Sequence, residues 1–247
     1  MSDALTLSGR CLRLSRRNLE ALFTALLLPV MLMLLFVELF GGAIDTGGDY
    51  VTYVVPGVLL LCAGYGASTT AVSVSHDMAG GVVDRLRSLD VGGASFLTGH
   101  VVASVVRNAA STVIVLAVGL LIGFRPDASA AEWVAAAAVL GLFVLALSWL
   151  AAVIGLLART PEGANGFTFF VMFVPYLSSA FVPIATMPGW LHGVAAHQPV
   201  TPVVETLRSL LLGTPAGSSP VQAIAWCAGI LVVSVAAAGV LFWRRTA

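Results

Sequence analysis

The chain is 247 residues long, 59% hydrophobic and 10% charged, with a mean hydropathy of +0.99. Soluble domains carry about 25% charged residues, so this composition describes an integral membrane protein with no stretch left for a soluble catalytic domain. Net charge is zero, which provides no field for nucleic acid, and all 12 basic residues are arginine, which excludes a P-loop lysine and a Schiff-base lysine.

Cys11, Cys62 and Cys227 are an odd, scattered set. They read as small apolar filler rather than as a disulfide or metal site. No cleavable signal peptide is expected, because the first apolar run follows a polar, basic segment and is long enough to span. The richness in Ala, Gly, Val and Arg fits a high-GC bacterial genome, which makes the cytoplasmic membrane the expected location.

A bilayer core of about 30 Å needs roughly 20 apolar residues in a helix. Six runs reach that length, at about 21–41, 53–75, 101–123, 133–157, 166–187 and 221–243. Backbone polar groups must be satisfied inside lipid, so these are read as helices; nothing alternates at the length of barrel strands. The expected fold is an all-α integral membrane protein with residues 1–247 as a single domain. Arg10, Arg13, Arg16 and Arg17 precede span one, Arg85 and Arg87 follow span two, Arg159 follows span four, and Arg244 and Arg245 follow span six. If the spans alternate, these share one side, with Arg125 and Arg208 on the other. The positive-inside rule then places both termini in the cytoplasm.

In residues 5–20, Leu5, Leu12 and Leu19 recur among the arginines. They suggest an amphipathic helix on the inner surface, with basic side chains at anionic headgroups; a basic tail serving topology alone is the other reading. Span one ends near Glu38, either an interfacial acid reaching water or an ion-coupling carboxylate. Tyr50 and Tyr53 read as an aromatic anchor at the outer interface, and Pro56-Gly57 as a bend in span two. After Gly80-Gly81, the residues Asp84, Arg85 and Arg87 interleave with Val83, Leu86 and Leu89. That spacing puts the apolar residues on one face of a short helix, lying parallel to the inner surface and able to dock a cytoplasmic partner, or else forming an ordinary charged loop.

Span three carries Arg107 and Asn108 near its inner end, where the arginine either snorkels or faces a cavity. Gly119 and Gly123 form a small-xxx-small pair. Glu132-Trp133 opens span four, and the inner loop at Arg159 to Glu162 is short. From Val174 to Gly213 the chain is too broken to span and too apolar for a solvated loop. Pro183 and Pro188 end span five. Trp190 to His197 forms a short helix that stops before Gln198-Pro199. Thr201 reads as an N-cap with Pro202 at the first helical position, and Gly213 closes that helix. Glu205 and Arg208 are i,i+3 partners on its polar face, and Val204, Leu207 and Leu211 form its apolar face. The pair reads as re-entrant helices dipping into the outer leaflet, forming an outer gate or a passive cap.

His192 and His197 lie outside, His76 and His100 inside, and no Cys or carboxylate completes a metal set. No GxSxG or HExxH occurs, and the spans hold almost no central charge for ion coupling. The expected chain is non-catalytic and binds no cofactor; if it transports, a partner supplies the energy.

The residues also carry a resemblance. Tyr53 with Pro56-Gly57 resembles a Y-x-x-P-G motif opening span two. Asp77 to Leu89 resembles D-x-x-x-G-x-x-D/E-R-L-R-S-L, and Gly123-Phe124-Arg125 and Pro161-Glu162 match weaker landmarks. Ser178-Ser179-Ala180-Phe181-Val182-Pro183, Met187-Pro188-Gly189-Trp190-Leu191 and Gln198-Pro199-Val200-Thr201-Pro202 follow in the same order and spacing. Together, over nearly the whole chain, they resemble the permease subunit of type-2 ABC exporters, in the daunorubicin/doxorubicin-resistance subgroup of actinobacteria. One departure is Asp90, where the family usually has Pro. The resemblance implies two permease subunits, a second copy of this chain or a paralogue beside the first, pairing with two separately encoded ATP-binding subunits that hold ATP and Mg. It implies a coupling helix over Asp84, Arg85, Leu86, Arg87 and Leu89, and an N-terminal helix with Arg10, Arg13, Arg16 and Arg17 against the ATPase. It also implies an outer gate around Pro183, Pro188, Trp190, Pro199, Thr201, Pro202, Glu205 and Arg208. The substrate would be an amphiphilic drug or a lipid-linked molecule moved outward. A permease for a lipid-linked glycan or lipid, and a structural or sensory membrane protein without transport, are the alternatives.

Overall fold

The computed structural model describes residues 2–17, 19–44, 48–83 and 93–246, and within the helices it leaves the side chains of 2–5, 14–26, 167, 168 and 246 undescribed. Among the described residues the regular structure is all helical. In chain order it comprises α1 (Ser2–Arg17), α2 (Leu19–Leu35), α3 (Tyr50–Ala79), α4 (Gly93–Leu121), α5 (Ala130–Leu157), α6 (Pro161–Phe173), α7 (Gly189–His197), α8 (Val200–Leu212) and α9 (Ser219–Thr246). A π-turn, Phe36–Phe40, extends α2, and short 3-10 turns lie at Val174–Leu177 and Ile184–Thr186.

Four of these helices, α3, α4, α5 and α9, are long and apolar enough to cross a membrane. They match the expected second, third, fourth and sixth runs. The stretches expected as spans one and five are present as shorter pieces. Residues 21–41 fall on α2 and its π-turn, and residues 166–187 fall on α6, a 3-10 turn and irregular chain. The α-helix of the expected fifth span, α6, therefore ends at Phe173, ahead of Pro183 and Pro188, and a 3-10 turn carries the chain to Leu177. Pro175 sits at the start of the 3-10 turn, and proline there removes a backbone donor and prevents the α-helix from continuing.

α3 is the centre of the fold. It packs against α2, α4, α5, α6 and α8, and Val54, Val55, Val58, Leu60 and Leu61 on it are almost fully buried. A helix that is apolar all round belongs in the interior, and the mixed Val/Leu/Ala/Gly composition of α3 fits that. α5 packs on α3 through Leu140, Phe143, Val144 and Leu147, and α8 adds Val203, Val204, Leu207 and Leu211 to the same core. α9 lies on the outside of α5 and α8. Its Val221, Ile224, Val232, Val233 and Val240 stay exposed, as do many apolar side chains of α4. Apolar surface of that extent needs a non-aqueous neighbour.

Local chemistry sets the helix ends. Ser129 and Glu132 form a reciprocal capping box at the start of α5, which satisfies two otherwise orphaned donors. Thr160 caps α6, with Pro161 in its first turn. Gly213, at φ 67°, closes α8 in the left-handed conformation, as its position predicts. Of the small pair on α4, Gly119 packs closely on Val55, whereas Gly123 (φ 115°) is a turn residue with open space around it.

Candidate functional site

Two polar junctions stand at opposite ends of the bundle. The outer one forms where α6 gives way to irregular chain. Residues 178–183 lack a helical ladder, so their carbonyls need other donors, and in a membrane protein those donors must come from the protein. Arg208 on α8 supplies two of them and also reaches α3. Its Nη2 donates to Ser179 O at 2.8 Å, Ala180 O at 2.9 Å and Tyr53 O at 3.0 Å, and its Nε donates to Tyr53 O at 3.1 Å. The guanidinium carbon lies 3.6 Å from the centroid of the Tyr53 ring, a cation–π contact that strengthens as water is excluded. Arg208 is only 7% exposed.

Two tyrosines of α3 complete the set. Tyr53 Oη donates to Ser179 O at 2.7 Å, and Tyr50 Oη donates to Phe181 O at 3.0 Å. Gly57 lets the irregular chain lie directly on α3: a Cβ there would stand 2.6 Å from Ala180 O. Tyr53 and Gly57 of the Y-x-x-P-G motif are thus contact residues for the Ser-Ser-Ala-Phe stretch. The sequence reading of Tyr50 and Tyr53 as a lipid-interface anchor is corrected: Tyr50 is 4% exposed, and both hydroxyls point to protein carbonyls.

Three further expectations change at this end. Thr201 is not the N-cap. α8 begins two residues earlier than expected, at Val200, with Pro199 in the cap position and no side-chain cap bond. Thr201 instead donates from Oγ1 to Ala195 O and accepts from Ser179 N at 3.3 Å, which fastens α7 to α8 and to the irregular chain. Glu205 and Arg208 do not pair directly. Glu205 accepts from Ser179 Oγ at 3.3 Å and Ser219 Oγ at 2.8 Å, linking α8 to the start of α9, while Arg208 is committed to carbonyls. The polar face of α8 therefore faces inward. Pro183 and Pro188 cap short turns through their carbonyls, the first to Thr186 and the second to Leu191. Pro202 O accepts from Thr206 Oγ1. Trp190, on α7, is 78% exposed.

The inner junction centres on Asp77, near the end of α3. Its Oδ2 accepts from Arg10 Nη1 of α1 at 2.9 Å and from His100 Nε2 of α4 at 3.2 Å, and its Oδ1 accepts from Arg10 Nη2 at 3.4 Å. The carboxylate side chain is 11% exposed, His100 6% and Arg10 34%. The carboxylate holds the Arg10 guanidinium charged, raising its pKa above the ordinary value. α1 lies along α4 with Leu7 and Cys11 buried, and a Cβ on Gly99 would come within 3.1 Å of Leu7 Cβ. Arg10 was expected to face headgroups or a partner; it faces Asp77. Arg13 is exposed and folds back on Gly9 O. Arg16 and Arg17 lie on α1 with undescribed side chains, and Asp84, Arg85, Leu86, Arg87 and Leu89 lie outside the described residues.

Between the junctions, Arg107 does not snorkel alone. Its Nη2 donates to Gly66 O and Thr70 Oγ1 on α3, both at 2.9 Å. Beside it, buried Asn108 donates to Ser104 O, and Ser148 of α5 donates to Ser104 Oγ at 2.8 Å. Asn108 Oδ1 sits 2.0 Å from where a Gly66 Cβ would be, so α3 and α4 meet closely there and a larger residue would displace the Asn108 side chain. Sequence reasoning singled out neither Asp77 nor Tyr50 for these roles. The position of Asp77 at the head of the inner motif was the available signal; the tyrosine contacts had none beyond the motif itself.

Comparison with known proteins agrees with this architecture. A family model described as ABC-2 type transporter matches residues 3–212. The daunorubicin resistance ABC transporter permease protein DrrB1 of Streptomyces coeruleorubidus is 31% identical over 216 residues, covering 87% of this chain and 76% of that protein. The probable doxorubicin resistance ABC transporter permease protein DrrC of Mycobacterium tuberculosis is 26% identical over 238 residues, covering 94% of this chain and 85% of that protein. With its apolar, all-helical build and a match across most of its length, the chain is an integral membrane protein that belongs to the ABC-2 type transporter family.

Proposed function

We propose that this chain is the non-catalytic, membrane-spanning subunit of an exporter that moves an amphiphilic, drug-like compound outward across the cytoplasmic membrane. ATP is bound with Mg and hydrolysed by a separate ATP-binding subunit, and the working assembly holds two copies of each chain. The observation that carries this reading is the near full-length match to drug-resistance permease subunits. In it, the chain has six spans with both termini inside, α2 and α6 completing the set. The segment Asp84–Leu89 is the coupling helix that meets the ATPase. α7 and α8 form the re-entrant outer gate with Pro183, Pro188, Trp190, Pro199, Thr201, Pro202, Glu205 and Arg208. The absence of lysine from the sequence supports the division of labour, since a P-loop needs one.

The test is transport in inside-out membrane vesicles that contain this chain with its ATP-binding subunit, with daunorubicin as the probe. ATP-dependent uptake that requires both chains is the expected result. Uptake of neither daunorubicin nor doxorubicin, with ATP hydrolysis insensitive to this chain, refutes the exporter reading. Stimulation of hydrolysis by a lipid-linked glycan instead moves the assignment to that substrate class.

A further inference from the structure

We propose that Asp77 is a positioning residue through which movement of α1 enters α3 during ATP-driven transport. The proposal rests on the reading above, in which a cytoplasmic ATPase works on the inner face. α1 packs along α4 with Leu7 and Cys11 buried there, and the Cys11 thiol also meets the His100 ring. Apolar contact has no direction and tolerates sliding. Its polar tie to α3 is the two-pronged bond of Arg10 to both oxygens of Asp77, at 2.9 and 3.4 Å. Such a fork fixes orientation as well as distance.

Three features place Asp77 where a transmitted force is needed. α3 is the helix on which the core is built, so displacing its inner end affects the whole bundle. Immediately beyond Asp77, α3 closes at Gly80, and Gly81 adopts φ 68° with nothing within 4 Å of an added Cβ. The backbone therefore leaves the axis of α3 directly after Asp77, at a turn that glycine takes without strain. His100 holds the other side of the same carboxylate oxygen at 3.2 Å, so Asp77 is fastened between α1 and α4 instead of turning toward water. Movement of α1 pulls on Asp77 and hence on α3, and α4 follows through His100.

The experiment has two arms. In the first, the chain carries Cys62→Ala and Cys227→Ala, leaving Cys11, buried beneath α1, as the single thiol. A membrane-impermeant maleimide is added to inside-out vesicles. Labelling is slow in this parent. Asp77→Asn and Arg10→Gln each speed it about tenfold, and the double variant is no faster than either single one, as coupled partners require. Asp77→Glu, which keeps the charge, stays slow. Unchanged labelling in both single variants, or additive increases, overturns the latch.

In the second arm the chain is assembled with its ATP-binding subunit. Arg10→Gln and Asp77→Asn complexes still co-purify and hydrolyse ATP, but move about tenfold less daunorubicin per ATP, a loss in the range of ordinary coupling energies. A merely structural residue would lower transport and hydrolysis together; an unchanged ratio overturns the proposal. A wild-type complex with no ATP-dependent uptake overturns the functional reading and this proposal with it, whereas labelling that responds as expected leaves the latch itself standing.

Discussion

The two junctions use the same residue type for opposite ends. At the outer end, Arg208 is 7% exposed and saturates carbonyls of a chain segment that has no ladder of its own. At the inner end, Arg10 is 34% exposed and pairs with one carboxylate, next to the glycine turn that follows α3. Breaking the outer contacts strands several buried acceptors at once. Breaking the inner one lets Arg10 take up water, although it leaves Asp77 short of a partner. The outer junction is therefore the rigid end, which moves as a unit where it moves, and the inner one is a single tie on which a pull can act.

The largest effect that tests this contrast is at Arg208. Arg208→Met keeps much of the side-chain volume but removes the guanidinium donors to Tyr53 O, Ser179 O and Ala180 O. Ala180 O loses its donor while Ser179 O keeps Tyr53 Oη; a bared acceptor costs about 1–3 kcal/mol and a bond lost without baring one about 1 kcal/mol or less, so a total loss of about 2–4 kcal/mol is expected. Arg208→Lys, without the planar fork, recovers part of it. Melting in detergent, followed by a thiol-reactive dye that reads exposure of buried Cys62 and Cys227, measures both. Equal stability of Arg208→Met and wild type would show that the outer junction is not the rigid end.

A pair of glycine variants sharpens the comparison at the next level. Gly57→Ala forces a methyl to 2.6 Å from Ala180 O, a backbone atom that cannot swing aside. Overpacking of that kind costs about 1–3 kcal/mol. Gly81→Ala meets nothing within 4 Å and pays only for its left-handed backbone, about 1 kcal/mol. The outer variant should lower the melting temperature more, and the inner one should slow transport more than it lowers stability. The reverse ranking would invert the assignment of rigid and mobile ends.

The sequence made the spans legible because length and hydropathy are properties of one helix at a time. Residues 53–75, 133–157 and 221–243 each fall within a helix of the structure, and 101–123 overruns the end of α4 at Leu121 by two residues. The helix at Trp190 and the closing role of Gly213 were legible too, since proline and glycine act locally. What stayed hidden was pairing over long distances. Arg208 reaches Tyr53 across 155 positions, and Tyr53 reaches Ser179 across 126, and backbone acceptors carry no side-chain signature. The wheel of α8 led to a polar face with Glu205 and Arg208 as partners because it treats a polar face as a wet one. In a bundle with irregular chain beside it, that face is where donors are needed inside. Asp77 was masked for a related reason: its motif is read through Asp84 to Leu89, and only folding brings α1 back to it.

The smallest effects separate the tyrosines. Ser179 O accepts from both Tyr53 Oη and Arg208 Nη2, whereas among the described residues Phe181 O accepts from Tyr50 Oη with no second donor seen. Tyr50→Phe should therefore strand a buried carbonyl and cost about 1–2 kcal/mol, and Tyr53→Phe should cost about 1 kcal/mol or less, since a bond is lost without leaving its acceptor bare. Tyr53→Phe also preserves a ring face for the guanidinium at 3.6 Å. Replacing Tyr53 by Leu removes that face as well and should approach the Tyr50→Phe loss. The same thiol-dye melts rank the three variants. If Tyr53→Phe proves the most damaging, the hydroxyl and not the guanidinium is what holds the Ser179 carbonyl, and Arg208 is demoted from the centre of the outer junction to one of several equal donors.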